Sequence, residues 1–181
     1  MVPVALVTGS ARGIGRAIAL QLADDGFIVS INDVLNSEDE LASVKQEIEL
    51  RGKYRHESTD AGDALSLGDA PQTPAYSVSK WAVRGLTQVA ALELATHGIT
   101  VNAYCPGIVQ TNMWDTIDSS LGEKFGLDKG QVFDAAVQQR TALGRAQTPE
   151  DVAALVGFLA GKGFDQTTGR SIIVDDGTVF S

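Results

Sequence analysis

Cysteine is almost missing from this chain of 181 residues: Cys105 is the only one. No disulfide can form within the chain, and a reducing, cytoplasmic compartment is the expectation. Histidine occurs twice, at His56 and His97, and no His/Cys/Asp spacing has the form of a metal site. Basic residues are outnumbered, 14 Lys and Arg against 23 Asp and Glu, for a net charge of −9. That charge disfavours nonspecific binding to nucleic acid or to an anionic membrane, and simple solubility accounts for it as well. No apolar stretch approaches the roughly 20 residues of a membrane span. The opening MVPVALVTGS has no basic region and no long apolar run, so a signal peptide is not expected. Internal repeats, low-complexity tracts and linkers are also missing. What remains is an ordinary globular composition, 44% hydrophobic and 20% charged, in a chain sized for one domain over 1–181 with a real core.

The first fifty residues alternate between two periodicities. VALVT (4–8) is a short β-rich apolar run of the kind buried in a parallel sheet, and GSARGIG (9–15) follows it. Ile14, Ile18 and Leu22 then recur every four residues, which predicts a helix ending near Gly26. FIVSI (27–31) reads as a second buried strand, closed by Asn32 and Asp33. Leu41, Val44 and Ile48 mark a second amphipathic helix that ends at Gly52. Strand, glycine turn, helix, strand and acid together point to dinucleotide binding. Glycines let the backbone approach a pyrophosphate, and the helix N-terminus offers free N–H groups and a positive dipole end. Asp33 stands eighteen residues after Gly15, where its carboxylate can accept from both ribose hydroxyls. A carboxylate there repels a 2′-phosphate and favours NAD. Arg12 in the glycine loop pulls toward NADP, or is a solvated loop charge. The glycine spacing, G-x-x-x-G-x-G, departs from the general G-x-G-x-x-G fingerprint.

Residues 75–98, AYSVSKWAVRGLTQVAALELATHG, predict a long helix, with Val83, Leu86, Val89 (or Ala90) and Leu94 at helical spacing and Gly98 at its C′ position. Tyr76 and Lys80 stand at i and i+4 and so share a face. A phenol ionises near pH 10, too high to serve as a base at neutral pH, and a nearby ammonium lowers that value. ITVNAY (99–104) reads as another buried strand, and CPGIVQTNMW (105–114) as the loop at its C-terminal end, where open parallel sheets bind ligands. Residues 115–140 mix apolar and polar positions without one clean helix, as in a mobile lid or an ordinary helical insertion. Thr148 and Pro149 open a helix, and SIIVDDG (171–177) is a final strand. Cys105 has no basic partner near it in sequence and reads as a small buried residue. His97 suits the helix C-terminal dipole.

These residues resemble the short-chain dehydrogenase/reductase family: T8-G-S-A-R-G-I-G15, Asp33, Asp60 after a third strand, Tyr76-x-x-x-Lys80, N102-A-Y-C-P-G107 with Thr111, and T168-G-R-S-I-I-V-D-D-G177. KWAVRGLTQ, GITVNAYCPGIVQTNMW and ALGRAQTPEDVA look most like its diacetyl (acetoin) reductase and 2,3-butanediol dehydrogenase branch. The resemblance implies an α/β, Rossmann-like, doubly wound parallel sheet. It also implies an NAD-dependent oxidoreductase acting on a small ketone or its secondary alcohol, with homo-oligomers usual. Tyr76 would be the general acid, and Lys80 would tune it and hold the nicotinamide ribose. Gly9, Ser10, Arg12, Gly13, Ile14 and Gly15 would form the pyrophosphate turn. Asp33 would meet the adenosine ribose and Asp60 the adenine. Pro106, Gly107, Ile108 and Thr111 would flank the nicotinamide.

One stretch breaks the pattern. Family members carry two further strand–helix units between the residues matching Asp60 and Tyr76, on the order of 50–70 residues at ordinary element lengths. Here sixteen residue steps separate them. The sheet is therefore expected to lack its two central strand–helix units. Either ITVNAY closes onto VALVT, or backbone groups along VALVT lie bare. KYRHES (53–58) is too polar for a strand buried on both faces. The family's catalytic serine would fall at Asp63, and Ser66 is the nearest hydroxyl to replace it. Asp175 and Asp176 take one glycine's place in the family's Asp-Gly-Gly ending. The alternative expectation is a truncated NAD-binding pseudoenzyme without turnover.

Overall fold

A computed structural model describes residues 2–51, 54–59 and 74–179. The elements run β1 (Val4–Thr8), α1 (Gly13–Asp24), β2 (Ile28–Asp33), a 3-10 turn (Leu35–Ser37), α2 (Glu38–Leu50), β3 (Tyr54–Thr59) and α3 (Pro74–Leu94). After a 3-10 turn at Ala95–His97 come β4 (Ala103–Pro106), α4 (Asn112–Phe125), α5 (Gln131–Arg140), α6 (Pro149–Ala160) and β5 (Ser171–Val174). Every strand pair is parallel, as alternating strands and helices require.

The strands divide into two sheets, one ordered β1-β2-β3 and the other β4-β5. The main core lies under the first. Ile18 and Leu22 of α1 and Leu41, Val44 and Ile48 of α2 close over Val7, Val29 and Ile31, all of them buried. Ala153 and Val156 bring α6 into the same cluster, and Tyr104 of β4 packs against its edge. Each fully buried Leu or Ile contributes about 1.5–3 kcal/mol of transfer free energy. The β1–α1–β2–α2 unit is thus a well-filled half of a doubly wound fold.

Several expectations change on contact with the structure. The strand expected over 99–104 forms instead at Ala103–Pro106; Val101 is held by Thr168, whose Oγ1 accepts its N–H at 3.0 Å. β4 does not close onto β1: it pairs with β5, and among the described residues β2 is the only strand hydrogen-bonded to β1. Val4 and Leu6 on β1 are consequently 64% and 67% exposed. The described part of KYRHES, from Tyr54, does form a strand, because among the described residues β3 has one neighbour and lies at a sheet edge. Residues 115–140 resolve into two helices joined by a glycine turn. Asp118, buried in α4, accepts the Gly130 and Phe133 N–H groups at 2.5 and 3.0 Å and so caps the start of α5. Those backbone donors hold its carboxyl below the ordinary carboxylate value. Trp114 and Phe133 pack edge to face across the same junction, 5.4 Å between centroids.

The start of α6 matches its signal. Thr148 Oγ1 accepts the Asp151 N–H at 3.2 Å, and Asp151 Oδ2 accepts the Thr148 N–H at 2.9 Å. The inward face of α3 differs from expectation. Lys80, Thr87 and Ala91 are buried, while Leu86 and Val89 are exposed. The buried face carries a lysine and a threonine, so apolar spacing alone did not select it.

Candidate nicotinamide dinucleotide site

The glycine turn leaves β1 at Gly9 and enters α1 at Gly13. A Cβ on Gly15 would lie 2.0 Å from the Gly9 carbonyl oxygen, so no side chain fits where α1 crosses the turn. Arg12, at the N-cap, makes no side-chain cap, and the first turn of α1 holds no acid. The first N–H groups of α1 thus have no side-chain cap from Arg12, at a positive dipole end that attracts an anion. Ser10 is buried, and its Oγ donates to the Asn32 carbonyl at 3.0 Å and accepts the Asn32 N–H at 3.0 Å. This double bond pins the turn to the end of β2.

Asp33 completes the pinning. Its Oδ2 accepts the Ala11 N–H at 2.7 Å and its Oδ1 the Val34 N–H at 2.8 Å. The carboxylate thus holds the glycine turn and retains lone pairs for a further donor. Arg12 turns away along α2, its guanidinium 3.3 Å from Ser37 Oγ and 3.6 Å from Glu40 Oε1. The two residues that pull toward different cofactors are therefore not equivalent. The Asp33 carboxylate is bonded to the turn, and the Arg12 side chain is paired with Glu40 away from it.

The loop after β4 forms the other wall. A Cβ on Gly107 would lie 2.8 Å from the Asp175 carbonyl oxygen, so β4 and the end of β5 meet backbone to backbone. Ile108 and Val109 are buried. Thr111 opens α4, and its Cγ2 lies 3.7 Å from where a Gly13 Cβ would stand. The structure therefore brings Thr111 of the loop beside the glycine turn. Sequence reasoning missed Gln147, whose side chain is 1% exposed and accepts the Gly107 N–H at 2.9 Å. A polar residue just before a helix cap gave no signal of that role.

Tyr76 and Lys80 share a face of α3. Lys80 is 4% exposed, and its Nζ stands 4.7 Å from the centre of the Tyr76 ring, whose residue is 36% exposed. The ammonium thus lies on the ring face at a solvent-accessible phenol. Burial lowers the Lys80 pKa. Helix α3 runs beside β4, where burial pushes the Cys105 thiol up against the opposing pull of Arg84. That suits a half-buried structural thiol. Asp60, Asp63 and Ser66 lie outside the described residues. No described helix is long and apolar enough to cross a membrane.

Known proteins match both halves of this arrangement. Residues 3–66 match the family model described as short chain dehydrogenase, and residues 63–179 the one described as Enoyl-(Acyl carrier protein) reductase. An L-2,3-butanediol dehydrogenase of Corynebacterium glutamicum is 31% identical over 259 positions, covering 100% of both chains. A diacetyl reductase [(S)-acetoin forming] of Staphylococcus aureus is 33% identical over 253 positions, covering 98% of each. Both alignments exceed the 181 residues of this chain, so those relatives carry residues with no counterpart here. The crystal structure of L-sorbose reductase from Gluconobacter frateurii, complexed with NADPH and L-sorbose, superposes with a TM-score of 0.85 at 18% identity, over 99% of this chain and 97% of that one.

Proposed function

Since the chain belongs to the short-chain dehydrogenase/reductase family, and is an oxidoreductase using a nicotinamide dinucleotide, we propose that it interconverts a small vicinal ketone of the diacetyl/acetoin class and its secondary alcohol. NAD is the cofactor in this reading, and the whole chain is one dinucleotide-binding domain of the cytoplasm. The observation that carries the reading is the glycine turn bonded to Asp33 with Thr111 beside it, and a Tyr76–Lys80 pair on α3 supports it separately.

Gly9, Ser10, Gly13, Ile14 and Gly15 supply backbone to the pyrophosphate, and Asp33 accepts from the adenosine ribose. NAD is favoured because Asp33 faces the turn while Arg12 is engaged by Ser37 and Glu40. Pro106, Gly107, Ile108 and Thr111 flank the nicotinamide half. Bound NADH supplies the hydride. Tyr76 Oη donates the proton to the carbonyl oxygen, and the Lys80 ammonium on its ring stabilises the phenolate left behind. Asp60 would serve the adenine, and Ser66 would polarise the carbonyl as the second donor.

The chain works as a homodimer in this reading. Val78, Trp81, Val89 and Leu92 form an exposed apolar stripe on α3. It is symmetric about Gly85, with Trp81 and Val89 four residues to either side, and Val78 and Leu92 seven. A two-fold antiparallel contact sets each residue against its mirror position, and the open Gly85 lets the backbones approach.

One observation favours a second reading, an NAD-binding protein without turnover: among the described residues β1 pairs on one side only, and its Val4 and Leu6 are exposed. NADH oxidation with diacetyl, beside Tyr76→Phe, separates the two. Turnover lost in the variant supports the reductase. Turnover no higher than the variant's refutes it, and NADH binding without turnover then supports the second reading.

A further inference from the structure

From the bonds around the loop after β4, we infer that Gln147 is a positioning residue for the nicotinamide half of the dinucleotide site. The inference rests on the proposed function, since it assigns a task within that site.

Gln147 is among the largest fully buried side chains, and it is a polar one. It engages the loop at three successive points. Its Oε1 accepts the Gly107 N–H at 2.9 Å, its N–H donates to the Ile108 carbonyl at 2.8 Å, and its carbonyl accepts the Gln110 N–H at 2.8 Å. Val109, between them, forms a parallel bridge with it. The backbone bonds set the loop's direction. Only the side-chain bond reaches back to Gly107, where the chain leaves β4 against the Asp175 backbone. The next residue, Thr148, is the N-cap of α6, and α6 packs on α1, the helix that the glycine turn opens.

A chain of fixed parts therefore runs from the glycine turn through α1 and α6 to Gln147 and the loop holding Ile108 and Thr111. The Thr111 methyl, beside Gly13, closes the circuit. Without the Gln147 oxygen, the Gly107 N–H keeps only the Val174 carbonyl at 3.1 Å, and the loop can shift relative to the turn. The adenosine half, held by Asp33 and the end of β2, stands outside this circuit.

The two halves can be read apart with two ligands: NADH, and ADP-ribose, which lacks the nicotinamide. In titrations with the purified chain, Gln147→Met, similar in volume but without the acceptor, is expected to raise the Kd for NADH about tenfold while ADP-ribose stays within about twofold. Gln147→Glu, which keeps an oxygen at the same reach, should bring NADH back to within about threefold of wild type. Equal weakening of both ligands by Gln147→Met would mean a merely structural residue and overturn the inference. So would an unchanged NADH affinity, or no recovery in Gln147→Glu. A wild-type chain that binds neither ligand has a different signature: it overturns the proposed function and this inference with it.

Discussion

At the scale of single residues, the site is a set of backbone positions that tolerate few side chains, fixed by a few buried polar groups. Glycine turn, Asp33 and the Tyr76–Lys80 pair were legible in the sequence because each has a residue type and a spacing tied to its chemistry. Gln147 was not, because an amide buried through tertiary contacts leaves no periodic trace. Asp176 shows what one substitution in a familiar ending does. It takes a left-handed conformation, φ 54°, that glycine adopts freely. Its side chain is 5% exposed, its Oδ2 is buried without a hydrogen-bond partner among the described residues, and Arg145 stands 4.0 Å from Oδ1. Burial raises its pKa above the ordinary 3.8, with Asp151 and Asp175 adding to the rise against the pull of Arg145. A carboxyl with a raised folded pKa stabilises the fold fully only below its unfolded value, and that contribution is lost as pH rises through the folded value. Asp176→Gly should therefore stabilise the chain by about 1 kcal/mol from the backbone alone, a Tm increase of about 2–4 °C. The gain should be larger at pH 7 than at pH 3.5 in thermal melts at the two values.

At the scale of elements, α1, α2 and α6 were predicted by periodicity and caps, and the structure agrees because each has a single apolar face or a strong N-terminal signal. The polar strand β3 and the inward face of α3 were not legible, since both depend on which neighbours are present. The pair α4–α5 was hidden for another reason: its organising contact is one buried acid, Asp118, reaching across a turn to the N-terminus of a second helix. Its carboxyl pKa is depressed, so its contribution is present above the ordinary 3.8 and is lost as pH falls through the lower folded value. Asp118→Asn should speed amide exchange across residues 128–133 at pH 7 by mass spectrometry. Its effect should shrink as pH falls below the ordinary 3.8 and through the lower folded value. Equal exchange in the two proteins at pH 7 would remove Asp118 as the pin.

For the whole molecule, the parallel α/β plan was legible, while the pairing of β4 with β5 in a second sheet was not. The relatives are longer than this chain, and among the described residues β1 pairs on one side only, with Val4 and Leu6 in solvent. Such an edge invites pairing with another chain. The α3 stripe offers a closed alternative, because a two-fold contact consumes the apolar surface without extending into a filament. Light scattering after size exclusion should give a dimer mass, and Val89→Glu, which sets a charge against Trp81 of the mirror helix, should give the monomer. A wild-type monomer would assign the stripe to some other role.

All of this depends on whether two blocks of a familiar fold assemble one site without the residues that relatives carry between them. The most direct measurement is a fluorescence titration of the wild-type chain with NADH, beside Gly15→Ala, whose added carbon meets the Gly9 carbonyl at 2.0 Å. Saturable binding by the wild type, tighter for NADH than for NADPH and lost in the folded variant, is the predicted result. A folded wild-type chain that binds neither cofactor would contradict the account.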